Sequence, residues 1–354
     1  MKRLIILTLI LFSCMLVAYN LSTDGIIVVI DNTSAEIAIS NEDTFVSTWK
    51  TDNAGTSGST QITLPLEAGG TYDFGINWGD GSSSKITAYD QAEVTHTYPI
   101  AGTYTVKIDG VINGFRFANG GDKAKITDIS QWGDLLLGNS GGYFYGCSSL
   151  TNVTATDVLD VSNVTSFNNT FRGCSSLTAL DVSNWDVSSV TTFVVAFYQC
   201  GLLDGLDISG FAITELTTAA DMLTSAHLIA NYSDVLINWA AQDTIKSNVV
   251  FGAGTNTYPA TTQDSGTTDG TTASKLVQSG QNFNTTVAIN DVIHNTTDNT
   301  WAVVTAVDSD TTLSIDNDIM ISGEAYVIYR SAGVLAKARL IIDYDWIITD
   351  GGAE

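Results

Sequence analysis

From Phe45 to about Gly110 apolar and polar residues alternate between Gly- and Asp-rich turns. This period of two predicts short antiparallel strands, each with one face buried. Beyond residue 120 the alternation gives way to a longer internal repeat. Phe144-Tyr145-Gly146-Cys147-Ser148-Ser149-Leu150 aligns with Phe171-Arg172-Gly173-Cys174-Ser175-Ser176-Leu177 and with Phe197-Tyr198-Gln199-Cys200-Gly201-Leu202-Leu203, so the cysteines fall 27 and 26 residues apart. Leu159-Asp160-Val161-Ser162-Asn163, Leu180-Asp181-Val182-Ser183-Asn184-Trp185 and Leu206-Asp207-Ile208-Ser209-Gly210-Phe211 recur in the same phase, with a degenerate earlier copy at Thr127-Asp128-Ile129-Ser130-Gln131-Trp132. A unit this short cannot bury its apolar face alone, so neighbours must stack, with the Phe and Leu positions as the core.

The repeats run out near Asn231-Tyr232-Ser233-Asp234-Val235-Leu236-Ile237-Asn238-Trp239, and Val249-Val250-Phe251-Gly252 and Thr257-Tyr258 follow. A second helical and strand pattern, Ala336-Lys337-Ala338-Arg339-Leu340-Ile341-Ile342 and Trp346-Ile347-Ile348-Thr349-Asp350-Gly351-Gly352, comes about 70 residues later. Between them, Lys275–Val277, Val292–Ile293, Trp301–Val307, Thr312–Ile315 and Ala325–Tyr329 signal strands of a separate small β module, placed in a loop where insertion is best tolerated. The expected organisation is 1–22 leader, 23–44 linker, 45–112 sandwich, 113–230 repeats, 231–261 first part of a cap, 262–331 inserted module and 332–354 second part of the cap.

The N-terminus has a charged start, Met1-Lys2-Arg3, and an apolar run from Leu4 to Phe12, which is the grammar of a secretory signal. The run ends in Leu11-Phe12-Ser13-Cys14, which resembles a bacterial lipobox and makes Cys14 the lipidation candidate. Because apolar residues continue through Met15-Leu16-Val17-Ala18, an uncleaved anchor of roughly 18 residues and simple secretion stay open beside it. Composition changes the picture mainly through charge: 14 Lys and Arg against 38 Asp and Glu give a net charge of −24, which repels nucleic acid and anionic lipid headgroups. The membrane is then reached only through the N-terminal anchor.

Two stretches carry family resemblances. Trp78-Gly79-Asp80-Gly81, His96-Thr97-Tyr98 and Gly102-Thr103-Tyr104-Thr105-Val106 resemble the WGDG turn, H-x-Y strand and G-x-Y-x-V strand of the polycystic-kidney-disease (PKD) type of immunoglobulin-like sandwich. The F-x-x-C-x-S-L-x-x-L-D-V-S-N-W pattern resembles the BspA-like leucine-rich-repeat surface proteins of bacteria, in which PKD-like and repeat modules share a chain. Together they imply a mainly β protein: a PKD-like immunoglobulin-type sandwich, then a short leucine-rich-repeat solenoid, with the small β module inserted in the C-terminal cap. The module is similar to small barrel-like units of phage tail and structural proteins. In that setting Trp78 fills the space between sheets, Asp80 forms a turn, and His96 packs or hydrogen-bonds.

Catalytic chemistry finds little support. Gly138-Asn139-Ser140-Gly141-Gly142 satisfies G-x-S-x-G, but a nucleophile elbow needs a strand before the Ser, a helix after it, and a His and an acid within reach. The three His residues, His96, His227 and His294, suggest no triad. Cys147, Cys174 and Cys200 occupy equivalent repeat positions and should lie near one another as small buried hydrophobes. They leave room for one disulfide between neighbours and lack the fourth ligand of a zinc site. Asp308-Ser309-Asp310 and Asp316-Asn317-Asp318 offer oxygens for calcium without EF-hand spacing, and solvated turns are the simpler reading. No catalytic, cofactor-binding or metal residues are therefore expected, and no cofactor.

The sequence points to a non-catalytic surface binding or adhesion protein, an outer-membrane lipoprotein or secreted, that presents the repeats to a protein or glycan ligand. A structural component of a phage particle or surface appendage is the alternative. Trp132, Trp185 and Tyr198 are the aromatic candidates for a binding face, with packing the simpler role for each.

Overall fold

The computed structural model describes residues 20–21, 26–29, 38–226, 229 and 231–353. The chain is mainly β, with helices at Tyr232–Ala240, Phe283–Thr286 and Ala332–Tyr344 among the described residues. The leader and Cys14 lie outside them. Three short strands, Asn20–Leu21, Ile26–Val29 and Ala38–Asn41, pair antiparallel across the end of the expected leader and the expected linker.

The alternating region forms a sheet in the order Asn152–Val153, Ile126–Gln131, Phe45–Lys50, Thr103–Phe115, Leu66–Asn77 and Ser83–Ile86, with Leu135–Leu136 beside Thr103–Phe115. The two-residue period puts Phe45 and Trp49, Phe74 and Ile76, and Val106 and Ile108 on the buried face. A separate pair of strands, Gln61–Thr63 with Thr95–Thr97, contributes Ile62 to the same core, and Trp78 and Tyr98 are buried beside it.

The Thr103–Phe115 strand runs through the boundary expected at 112, and the degenerate repeat copy, Ile126–Gln131, serves two structures at once. It pairs antiparallel with Phe45–Lys50 and parallel with Asn152–Val153. Thr127 is the first rung of a backbone ladder in which the Thr151 amide donates to the Thr127 carbonyl, Thr178 to Thr151 and Asp204 to Thr178.

A second ladder runs along another side of the repeats. Gly142, Phe144 and Gly146 donate to the carbonyls of Asn168, Thr170 and Arg172; Phe167, Asn169, Phe171 and Gly173 donate to Thr192, Val194, Ala196 and Tyr198. Phe193, Val195, Phe197 and Gln199 continue to Thr218, Ala220, Met222 and Thr224. Amides along this side of one repeat are thus satisfied by carbonyls of the next, while others, such as those of Cys147, Cys174 and Cys200, bond within their own repeat to Phe144, Phe171 and Phe197. Thr191 and Thr217 reinforce the stack, each donating both its amide and its hydroxyl to the carbonyl of the Thr one repeat earlier.

Side chains stack in the same register. Phe144, Phe171 and Phe197 lie face to face, with centroids 5.3 and 5.7 Å apart and planes 10° and 2° apart. The repeated Asp turns back on the Ser two residues later: Ser162, Ser183, Ser188 and Ser209 amides donate to Asp160, Asp181, Asp186 and Asp207. This is the Asx-turn that explains why Asp and Ser recur at fixed spacing.

Parallel pairing continues beyond the repeats. Val250–Gly252 lies parallel to both Thr218–Ala219 and Ile347–Thr349, and Thr257–Tyr258 lies parallel to Gly352–Ala353. The late segment therefore docks beside the early one. Between them, Thr261–Thr267 leaves and Ala325–Arg330 returns antiparallel, with Thr261 opposite Arg330.

That segment folds as a six-stranded sheet containing every strand expected from the sequence, around its own core of residues such as Leu276, Phe283, Ile293, Val304, Leu313 and Ile328. A different, continuous core runs from Phe45 through the repeats to Trp346.

Candidate binding surface

The motifs most suggestive of catalysis resolve into structural roles. Ser140 is exposed in a glycine turn, with no helix after it, and its neighbour Asn139 accepts from the Thr165 amide and hydroxyl. His227 lies outside the described residues. Asp80, Ser82 and His96 do come together, with Ser82 Oγ 3.3 Å and Asp80 Oδ2 2.8 Å from His96. Both contacts use the same ring nitrogen, Nε2. A relay needs the acid on one nitrogen and the nucleophile on the other, so this trio fixes a turn rather than activating the Ser.

Burial works to raise the Asp80 carboxyl, but hydrogen bonds from Ser82 and His96 outweigh it and hold the group at about 2. His96 is itself packed flat on Trp78, with ring centroids 4.7 Å apart, and Tyr98 meets its ring edge-on. The Tyr98 hydroxyl donates to the Trp78 carbonyl.

The acids offered for calcium separate to different partners. Asp308 pairs with Lys275, Asp310 accepts from Asn284, Asp316 accepts from the Val303 amide and pairs with Arg339, and Asp318 accepts from the Ser274 amide. Among the described residues no three His, Cys, Asp or Glu side chains are grouped to hold a metal ion.

The three repeat cysteines are free and buried. Cys174 and Cys200 point their thiols at the carbonyls of Phe144 and Phe171, one repeat back. Burial pushes the Cys200 thiol up to about 12 and raises Cys147 and Cys174 well above the ordinary range. In a Cys14→Ala protein at pH 8, a thiol reagent such as Ellman's should therefore titrate none of these three cysteines before unfolding and all three after it in urea. Rapid native-state labelling of even one would contradict the buried arrangement.

The aromatic candidates divide. Trp132 and Trp185 are 2% and 6% exposed and meet edge-on inside the core. Tyr198 is half-buried on the surface of the stack. It belongs to an outward row that sequence inspection missed. In F-x-x-C the Phe and Cys turn inward, so the residue after Phe turns outward: Tyr145, Arg172 and Tyr198 on successive repeats.

The Arg172 guanidinium lies over both rings, 5.0 Å from the Tyr145 centroid and 5.3 Å from that of Tyr198. Nη1 donates to Asn169 Oδ1. Lys123 lies against Gly146, the residue after Tyr145, its Nζ donating to the carbonyl and side-chain oxygens of Asn119. Gly146 makes room for it. With φ at +82°, a Cβ there would sit 2.3 Å from Asn119 Oδ1 and 2.8 Å from Lys123 Cδ.

Among known families, residues 138–264 are similar to one described as "Mycoplasma protein of unknown function, DUF285". That span begins at the glycine turn and ends in the first strand of the inserted module. No curated protein and no solved structure matches the chain significantly.

Proposed function

We propose that the chain is a non-catalytic binding protein of the cell surface, exported and held by its N-terminus. In this reading a PKD-like sandwich supports a short leucine-rich-repeat solenoid, and the solenoid carries the ligand-binding face. One observation carries the reading: the shared backbone ladder holds outward positions of successive repeats in register, giving a row of side chains on a stiff support. Stacked repeats are suited to recognition because each adds one position to an extended surface without altering the core. The inserted module and the cap close the far end of that stack. No helix among the described residues is long and apolar enough to cross a membrane, so attachment rests on the leader and Cys14.

The test is intact mass and fractionation of the protein expressed in a bacterium, with and without Cys14→Ala. A membrane-bound wild type beginning at a lipid-modified Cys14, with the variant released, supports the surface reading. Retention of Met1 and a cytoplasmic location for both would overturn it in favour of a structural component of a phage particle.

A further inference from the structure

Arg172 is the one Lys or Arg between residues 126 and 245 of a chain whose net charge is −24. In such a chain a cation would be expected to neutralise a nearby acid. Among the described residues neither Arg172 nor Lys123 has a carboxylate partner, and their hydrogen bonds go to asparagine oxygens. Arg172 is held instead between two tyrosine rings, which fix the guanidinium plane while leaving its charge unpaired. A guanidinium fixed in this way has already lost the side-chain freedom that binding would otherwise remove, and its planar fork suits a carboxylate.

We infer that the Tyr145–Arg172–Tyr198 row, with Lys123 beside it, binds a glycan through a single carboxylate, of the kind a uronic acid residue carries. This rests on the surface-binding reading and names its ligand class. The surrounding charge favours one carboxylate over many: a polyanion would gain at Arg172 and Lys123 and lose against the acidic remainder of the chain. The side chains hydrogen-bonded to the two cations are the amides of Asn119 and Asn169, which match sugar hydroxyls better than an apolar peptide side chain. Tyrosine contributes a phenol and an aromatic edge on either side of the cation, and stacking on Arg172 keeps both in place.

The experiment uses purified full-length protein and titration calorimetry, so it reads binding wherever the protein resides and can fail independently of the fractionation test. The probe is a trisaccharide containing one glucuronate, compared with the same trisaccharide carrying glucose in its place. Expected results are binding of the glucuronate form alone, weakening as NaCl rises from about 50 to about 500 mM, and at least about tenfold loss in Arg172→Gln with its melting temperature unchanged. Lys123→Gln, farther from the core, should weaken binding less, and Arg172→Lys should restore only part of it because an ammonium lacks the planar fork. Equal binding of both trisaccharides, no binding of either, or full affinity in both Arg172→Gln and Lys123→Gln would overturn the assignment. So would equal affinity for a Gly-Ser-Glu-Ser-Gly peptide, which would make the partner an acidic peptide.

Discussion

Replacing Asp122 by Ala is expected to lower the unfolding free energy by about 3–5 kcal/mol, although it removes a side chain from what reads as a polar loop. Asp122 and Lys125 are both fully buried, with Nζ and Oδ1 3.9 Å apart. Lys125 donates to the carbonyls of Ser57, Gly58 and Gln61 and to the Ser57 hydroxyl, while Asp122 accepts from the Ser57 and Thr63 amides and the same hydroxyl. The pair ties the 51–60 loop to the segment between strand Thr103–Phe115 and the repeats. Burial pushes the Lys125 amine down and Asp122 pushes it up, so removing Asp122 leaves the ammonium with desolvation unopposed by its counter-charge.

The control is Asp73→Ala, which breaks the surface pair with Lys85, whose side chains are 67% and 59% exposed. Its effect should stay within about 0.5 kcal/mol. Urea unfolding followed by tryptophan fluorescence gives both values. Similar small losses from the two substitutions would show that the Asp122–Lys125 pair does not hold this joint.

That pair also marks the limit of what the sequence discloses. Asn119-Gly120-Gly121-Asp122-Lys123-Ala124-Lys125 looks like a solvated turn, and nothing local distinguishes buried Lys125 from Lys123, two residues away and near the surface. The difference comes from the 51–60 loop, some 65 residues distant, whose carbonyls converge on one lysine and not the other. By contrast, the strands were legible because periodicity is written in consecutive residues. In Ala325–Arg330 buried and less buried positions alternate with the period of two that a strand imposes, and the late strands lie beside the earlier ones despite their distance in sequence.

The candidate surface was half legible. Tyr198 attracted attention as an aromatic, but Arg172 did not, because it stands where the other repeats carry Tyr and so looks like a lapse in the pattern. Its meaning appears only when the rungs are about 5 Å apart and the lapse falls between two rings. A cheap signal existed: the residue after an inward Phe must face outward, and the sole cation in a long acidic stretch occupied that position. The degenerate copy at Thr127–Trp132 was likewise visible as a weak repeat, while its second role as a sheet strand depends on pairing with Phe45–Lys50, which lies far away in sequence.

Phe171→Ala should cost about 3–5 kcal/mol, and the same change at Phe197 less. Phe171 sits between Phe144 and Phe197 and also packs on Trp185, with ring centroids 6.2 Å apart, so its loss opens a void against neighbours on both sides. In a stack whose amides are satisfied by the next repeat, such a void weakens two interfaces at once. The damage should also travel. Phe144 touches Phe115 and Trp132, so the repeat stack and the sheet of Phe45–Lys50 and Thr103–Phe115 share one apolar core, which also takes in Val292 and Trp301, whereas most other buried apolar residues between 276 and 328 close around another.

Hydrogen exchange at low urea can separate these regions. In Phe171→Ala the amides of Thr103–Phe115 should lose protection together with those of the repeats, while Thr312–Ile315 in the inserted module keeps its wild-type protection. If Thr103–Phe115 stays protected while the repeats exchange, the continuous core transmits no stability, and the sheet around Thr103–Phe115 and the repeat stack are separate folding units.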